Sequence, residues 1–303
     1  MNTRFRLLVV VAAVALAASA CAAADFAATV NDATISGSEV TGLRTAEVGV
    51  VLDGEQVRSD LTTLIVLQSE LDAANADFGL TGLDSPDARE AWLAAASPQQ
   101  LAQIDGIAQN PELTEEAVDV VITQLVIRDA VIDELVEDPG FQQQVWDTQQ
   151  PFIEVCPRHI VVATEAEAAI ARDRILAGED FGAVAADVSL DPSPGGQLLC
   201  PSKPRDYLEP FDLVVATAPI GELTEPFQTS VGWHIVLVDS REEAESFEEF
   251  VQDPQRWIPL EALDVAWVEW RESAVARAEI VVRSQIGRWF PEGDGILPPP
   301  ESP

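Results

Sequence analysis

Apolar positions divide the chain into stretches of different period. An unbroken run from Leu7 to Leu16 follows Arg4 and Arg6 and gives way to small residues and Cys21. This is the pattern of a secretory signal, too short for the roughly 20 apolar residues of a membrane-spanning helix. Further on, FAATVNDATISGSEV alternates about Asn31-Asp32 as a short hairpin, and Ser36 with Glu39 has the spacing of a helix-capping box. Helical periods then take over. Leu61, Leu64, Ile65 and Leu71 form a stripe that starts at Ser59 or Asp60 and ends near Gly79. Ser85-Pro86 and Ser97-Pro98 each set a cap ahead of a proline at the first helical position. Thr114, backed by Glu115 and Glu116, opens a longer helix carrying Val118, Val121, Ile122, Leu125, Ile132 and Leu135. Pro139-Gly140 ends it, and Phe141 to Pro151 runs on with a further helical turn or two.

From Arg158 the period shortens to that of strands. The run from His159 to Ala163 is β-rich, and Thr164 with Glu167 caps a helix that stops before Gly178. Asp180 opens a short helix through Phe181 and Val184, and Asp191-Pro192-Ser193-Pro194-Gly195-Gly196 is dense in turn residues. Pro210 to Ala218 reads as helix, and Leu223 to Gln228 and Trp233 to Val238 as two strands. The order is β-α-α-β-α-β-β, an α+β domain. Beyond Arg241 comes an acidic stretch, then a helix from about Leu260 to Arg277 with Leu263, Trp267, Trp270 and Ala274 on one face, then a strand from Ile280 to Arg283. That amphipathic helix needs a partner, and the helical first half offers one. The expected organisation is a signal over 1–21, a mostly helical domain over 22–151, the α+β domain over 152–242, a returning helix and strand over 243–290 that packs on the first domain, and a proline-rich tail over 291–303.

Composition sharpens this picture. At 47% hydrophobic residues the chain has ample material for cores, but 52 acids face 17 bases, Lys203 is the single lysine, and the formal net charge is −35. Such a surface repels nucleic acid and anionic lipid headgroups. It suits either clients with basic segments or a high-salt setting. Ala18-Ser19-Ala20-Cys21 resembles the lipobox of bacterial lipoproteins, in which Cys21 would carry the lipid and tether the chain to a membrane; ordinary cleavage near Ala20 or Ala24 is the alternative. Cys156 and Cys200 then remain, suggesting one disulfide in an oxidising compartment, or else two independent buried thiols. No zinc-ligand spacing, glycine-rich phosphate loop or Gly-x-Ser-x-Gly elbow occurs, so neither a metal nor a cofactor is expected.

Both histidines of the chain, His159 and His234, fall in the strand-like runs of the α+β segment. On neighbouring strands they can share one face. For either alone, a packed strand histidine is the ordinary reading, but the surroundings carry more. Arg158 to Val162, Gly178-Glu179-Asp180-Phe181, Ser189-Leu190-Asp191 with Gly195-Gly196, and Pro226 to Thr229 with Gly232-Trp233-His234-Ile235 occur in order over some 85 residues. This set resembles the parvulin family of peptidyl-prolyl isomerases. The resemblance implies an antiparallel sheet, an active site of His159, Asp191, Thr229 and His234 with the histidines bonded to each other and to Thr229, and an apolar proline pocket of Leu198, Tyr207 and Phe211. Tyr207 stands where a methionine is more usual. Leu199 stands where the family commonly has a glycine, which makes any positive φ there costly and leaves open a non-catalytic chaperone with an inactive parvulin domain, or a structural envelope lipoprotein. In the parvulin fold the strand holding Cys200 neighbours the one that follows Cys156, so a disulfide would staple them. The layout as a whole resembles envelope foldases of the SurA and PrsA type, which implies unfolded exported polypeptides with X–Pro bonds as partners and no cofactor.

Overall fold

The computed structural model describes residues 26–45, 54–291 and 295–300. The signal-like run, Cys21 and the last residues of the tail lie outside the described residues. The chain divides into two compact units, one formed by the residues up to Glu137 together with those from Leu260 onward, the other by Asp138–Pro259. No helix among the described residues is long and apolar enough to cross a membrane.

In the first unit, Phe26–Val30 and Ala33–Ser36 form the hairpin that alternation about Asn31 requires, and Asn31 takes the positive φ of the turn. Ser36 accepts the Glu39 amide while the Glu39 carboxylate takes the Ser36 amide, so the capping box starts helix Gly37–Gly42. The next helix, Gly54–Phe78, begins ahead of Ser59, because nothing at Gly54-Glu55-Gln56 forbids helix and Glu55 suits its first turn. Ser85 and Ser97 cap Pro86–Ala95 and Pro98–Ala108, each with proline in its first turn, and Glu115–Glu137 follows. The returning helix Leu260–Arg277 packs Trp270 and Ala274 against Ala73, Ala74, Ile127 and Val131. Arg271 donates to the buried Glu70 at 2.6 Å from the same helix. Strand Ile280–Val282 then pairs with Phe26–Val30, Ala28 opposite Val282. The expected tail from Pro291 is corrected: Gly295–Leu297 pairs with Arg288–Phe290, and Ile296 joins the core beside Leu61 and Ile65. Proline dominates only after Leu297, so composition hid the apolar residue that anchors the strand.

The second unit is wider than the expected 152–242. Asp138 caps helix Pro139–Gln149, whose Trp146 stacks on Phe152 at 5.5 Å and meets Phe247 and Phe250. This aromatic cluster draws 139–151 and 243–259, including short helices Phe247–Phe250 and Pro254–Trp257, into the second unit. Its sheet has Gly232–Glu243 in the middle, Ile153–Val162 antiparallel on one side and Phe227–Thr229 antiparallel on the other. Helices Glu165–Leu176 and Phe181–Val188 cover one face through Ala168, Ala171, Phe181 and Val184 on Ile160 and Ile235. Helix Phe211–Thr217 covers the other through Phe211 and Val215 on Val155, Val236 and Val238. The expected β-α-α-β-α-β-β order loses its second strand. Only single bridges form, Gln197 to Arg158 and Ser202 to Val155, and between them the chain loops out through Cys200-Pro201, where proline has no amide to give a ladder. The strand expected from Leu223 likewise shrinks to Phe227–Thr229 plus one bridge at Leu223.

Candidate active site

The site lies on the sheet face covered by helix Phe211–Thr217. Antiparallel register sets His159 opposite Val236 and His234 opposite Val161, so the histidines are diagonal neighbours on one face. Their rings lie 5.6 Å apart at 23°, and the residues are 6% and 3% exposed. Each ring has a polar partner on its outer side. His159 Nε2 meets Asp191 Oδ2 at 2.8 Å, and His234 Nε2 meets Thr229 Oγ1 at 2.8 Å.

The loop that delivers Asp191 is spliced to the strand by Ser189, whose hydroxyl accepts from the amides of Val161 and Asp191. The Ser193 amide donates to Asp191 Oδ1 at 2.8 Å. Hydrogen bonds from Ser193, and after them that from His159, hold the Asp191 carboxyl below the usual range against the opposing effect of burial. Asp191 is therefore ionised at neutral pH and accepts, so His159 Nε2 carries the shared hydrogen. Two glycines bring the loop close. Gly196 has φ +68°, and a Cβ there would sit 2.4 Å from the His159 carbonyl oxygen and 2.9 Å from the Phe181 ring. Gly232, at φ +146°, turns the chain between Thr229 and His234, with the Val162 carbonyl oxygen only 2.7 Å from where a Cβ would be.

Aromatic rings wall the site. Phe211 presents its edge to both histidines, at 5.7 Å and 5.3 Å, and Tyr207 lies 5.0 Å from Phe211. Phe227 stacks on His234 at 5.5 Å and 22°. Leu198 packs in the same cluster. Burial first, and the neighbouring His159 second, depress the His234 pKa to about 4, so this ring is neutral at physiological pH. Burial pushes the Tyr207 hydroxyl up, although Ser202 is hydrogen-bonded to it.

All seven residues expected from sequence thus converge on one face, and two expectations change. The histidines are not hydrogen-bonded to each other: their rings stack, each Nε2 is taken by its own partner, and both Nδ1 atoms are buried without a hydrogen-bond partner. Diagonal positions on paired strands turn the rings face to face, which leaves two dyads instead of one relay. Leu199 does not adopt a positive φ and is 75% exposed, so its replacement of glycine puts no strain beside the histidines. Cys156 and Cys200 are joined, with Cα atoms 4.6 Å apart, and this bond holds the looped-out segment to the strand that carries His159. Sequence reasoning missed Phe227 and, although it read Ser189 as part of a motif, gave it no role in the site. Period two from Thr229 puts Phe227 on the site face, a signal present in the chain. Among the described residues no three histidine, cysteine or acidic side chains converge as metal ligands would.

The family profile described as Rotamase, the PPIC-type PPIase domain, matches residues 159–240. Foldase protein PrsA of Halalkalibacterium halodurans is 29% identical over 160 residues, covering 50% of this chain and 48% of its own. Chaperone SurA of Pseudomonas fluorescens is 35% identical over 131 residues, 39% of this chain and 29% of the relative. The chain thus spans about half, or less, of the length of the curated relatives it matches. The solved foldase protein PrsA of Lactococcus lactis shares the fold at a TM-score of 0.54 over 85% of this chain and 94% of that one, at 14% identity. The stacked histidine dyads, their aromatic wall and the family match agree: residues 159–240 form a parvulin, a PPIC-type peptidyl-prolyl isomerase domain, in a chain that shares the fold of the solved PrsA foldase.

Proposed function

We propose that the chain isomerises X–Pro bonds and assists the folding of exported proteins, with no cofactor. One observation carries the reading: an apolar aromatic wall faces two buried, fully positioned histidine dyads on the same side of one sheet. Rotation about the peptide C–N bond is resisted by about 18–20 kcal/mol because conjugation is lost on twisting, and no bond to substrate need be made or broken. The enzyme has only to bind the twisted amide better than the planar one. Phe211, Tyr207, Phe227 and Leu198 suit the proline ring. The Asp191 anion, fixed by Ser193 and His159, suits the preceding carbonyl, because twisting withdraws negative charge from the carbonyl oxygen and the carboxylate then opposes it less. The neutral His234, bonded to Thr229, keeps a second charge out of the apolar pocket.

In a protease-coupled assay on a proline peptide, His159→Ala and Asp191→Asn should each lower kcat/KM about 100-fold, within the range for losing one fixed polar group. A wild-type rate equal to that of His159→Ala sinks the enzyme reading and leaves a holdase. For Leu199, the exposed position of the side chain supports the active reading over the inactive one.

The signal-like segment and lipobox support export to the cell envelope with Cys21 as the lipid-bearing residue. Intact mass of the mature protein tests this: a diacylglyceryl adduct on Cys21 is expected, and a chain beginning elsewhere with an unmodified terminus rules it out.

A further inference from the structure

In the first unit, helices Gly54–Phe78, Glu115–Glu137 and Gly37–Gly42 together line a groove of about 530 Å³. Its floor is mainly apolar, with Gln68 and the buried Thr123 as polar members. Leu64, Leu67 and Leu71 come from the first helix and Val120 from the second, all half-buried, and Leu43 closes the end. Leu64 fringes the core around the hairpin, whereas Leu67 and Leu71 fringe the core beneath the returning helix, so the groove opens between two packed clusters. Its volume falls in the range of ligand sites, roughly 300–1,000 Å³.

The rim has the opposite character. Glu39, Asp84, Glu116 and Asp119 surround the floor, all exposed, and the lining holds one cation, Arg89. That cation is engaged: its guanidinium pairs with Asp119 at 3.1 Å and donates to the Asp84 carbonyl oxygen. Four carboxylates against one arginine leave the groove at net −3.

We propose that this groove binds extended polypeptide segments whose apolar side chains are flanked by lysine or arginine. The inference rests on the chaperone reading above and names the chemistry of the segments that the helical unit holds. Leucine and valine on the floor remove apolar side chains from water, while the carboxylate rim meets cations at the flanks and turns away acidic segments. A second copy of this chain is the wrong occupant on charge, since it carries 52 acids against 17 bases and a net charge of −35. A segment with basic flanks is the complement of what the rim presents.

The test uses the full mature chain and fluorescent peptides of one apolar, proline-free core (Leu-Val-Phe-Leu-Ala-Phe) with two lysines, two serines or two glutamates at each end. By anisotropy in low salt, the lysine peptide should bind about tenfold or more tighter than the glutamate peptide, and raising salt from about 0.05 M to about 0.5 M should shrink that ratio. The paired exposed substitutions Asp84→Lys and Glu116→Lys should reverse the preference. Leu67→Gln should weaken all three peptides, and isomerase activity on a proline peptide should be unchanged in every variant. Equal binding of the lysine and glutamate peptides overturns the proposal, as does a preference that survives the rim reversal. A concentration-dependent dimer that dissolves on rim reversal assigns the groove to a second copy and overturns it as well. If the variants suppress client aggregation as well as the wild type, clients are held elsewhere: this proposal falls and the chaperone reading stands. Loss of wild-type isomerase activity with peptide selectivity intact sinks the enzyme reading alone.

Discussion

At the scale of single residues, the buried His234 ties the site to pH. In the unfolded chain an imidazole titrates near 6.5, whereas in the fold this one titrates at about 4. Between those values the unfolded chain binds the extra proton, so the contribution of His234 is complete above pH 6.5 and is lost as pH falls towards 4. At about 1.4 kcal/mol per unit, stability should drop by about 1–3 kcal/mol across that window. Urea unfolding at pH 7 and pH 5 on wild type and His234→Gln measures it: the wild type should lose stability on acidification and the variant markedly less. Identical slopes would mean the buried imidazole does not control the window. The positions of His159 and His234 were legible because strand period and pairing put them on one face whatever the helices do. Their hydrogen bonds were not legible, since ring orientation depends on Asp191, which arrives from a loop, and Thr229, which arrives from a short separate strand. Phe227 escaped for a simpler reason, as a lone aromatic beside Pro226 looks like ordinary strand filling.

At the scale of elements, the turn glycines separate two costs that sequence alone conflates. Gly196 and Gly221 have nearly the same φ, +68° and +77°, but a Cβ at Gly221 meets nothing within 4 Å, whereas one at Gly196 overlaps the His159 carbonyl. Alanine at Gly221 should cost about 1–2 kcal/mol, the left-handed penalty alone. At Gly196 the overlap adds to it, for a total of about 3 kcal/mol or more, with a displaced His159 and reduced isomerase activity. Thermal melts of the two variants compare them directly, and equal losses would refute the close approach. Helix starts were the most legible elements, because a cap such as Ser36, Ser97 or Thr164 with a partner three residues on satisfies its amides locally. The missing strand at Leu198 and Cys200 shows the opposite case. Apolar residues there suggested pairing, but with Pro201 and the Cys156–Cys200 bond inside the segment, β-bridges to the neighbouring strand form only at Gln197 and Ser202. Helix Pro139–Gln149 was assigned to the wrong unit because its partners, Phe247 and Phe250, lie a hundred residues away in sequence, roughly the length of a domain.

At the scale of the whole molecule, charge sets the response to salt. Ion pairs such as Arg277 with Asp77 and Arg256 with Glu154 weaken when screened, but 17 bases cannot pair 52 acids. Repulsion among the unpaired carboxylates therefore outweighs the lost attractions. The melting midpoint should rise by several degrees between low salt and about 1 M sodium chloride, where the screening length shrinks to about 3 Å; a midpoint that falls would mean the local pairs dominate. The α+β class and the returning helix were legible from periodicity, whereas the limits of the second unit were not. The threading of the first unit has a further meaning for a chain made from its amino end. Asn31 and Glu279 exchange hydrogen bonds across a separation of 248 residues, so the helical unit cannot close until residue 279 has emerged. Asp138–Pro259 is one uninterrupted stretch and has no such wait. A chain that folds as it emerges should therefore complete the site on 138–259 before the helical unit can close over its returning helix.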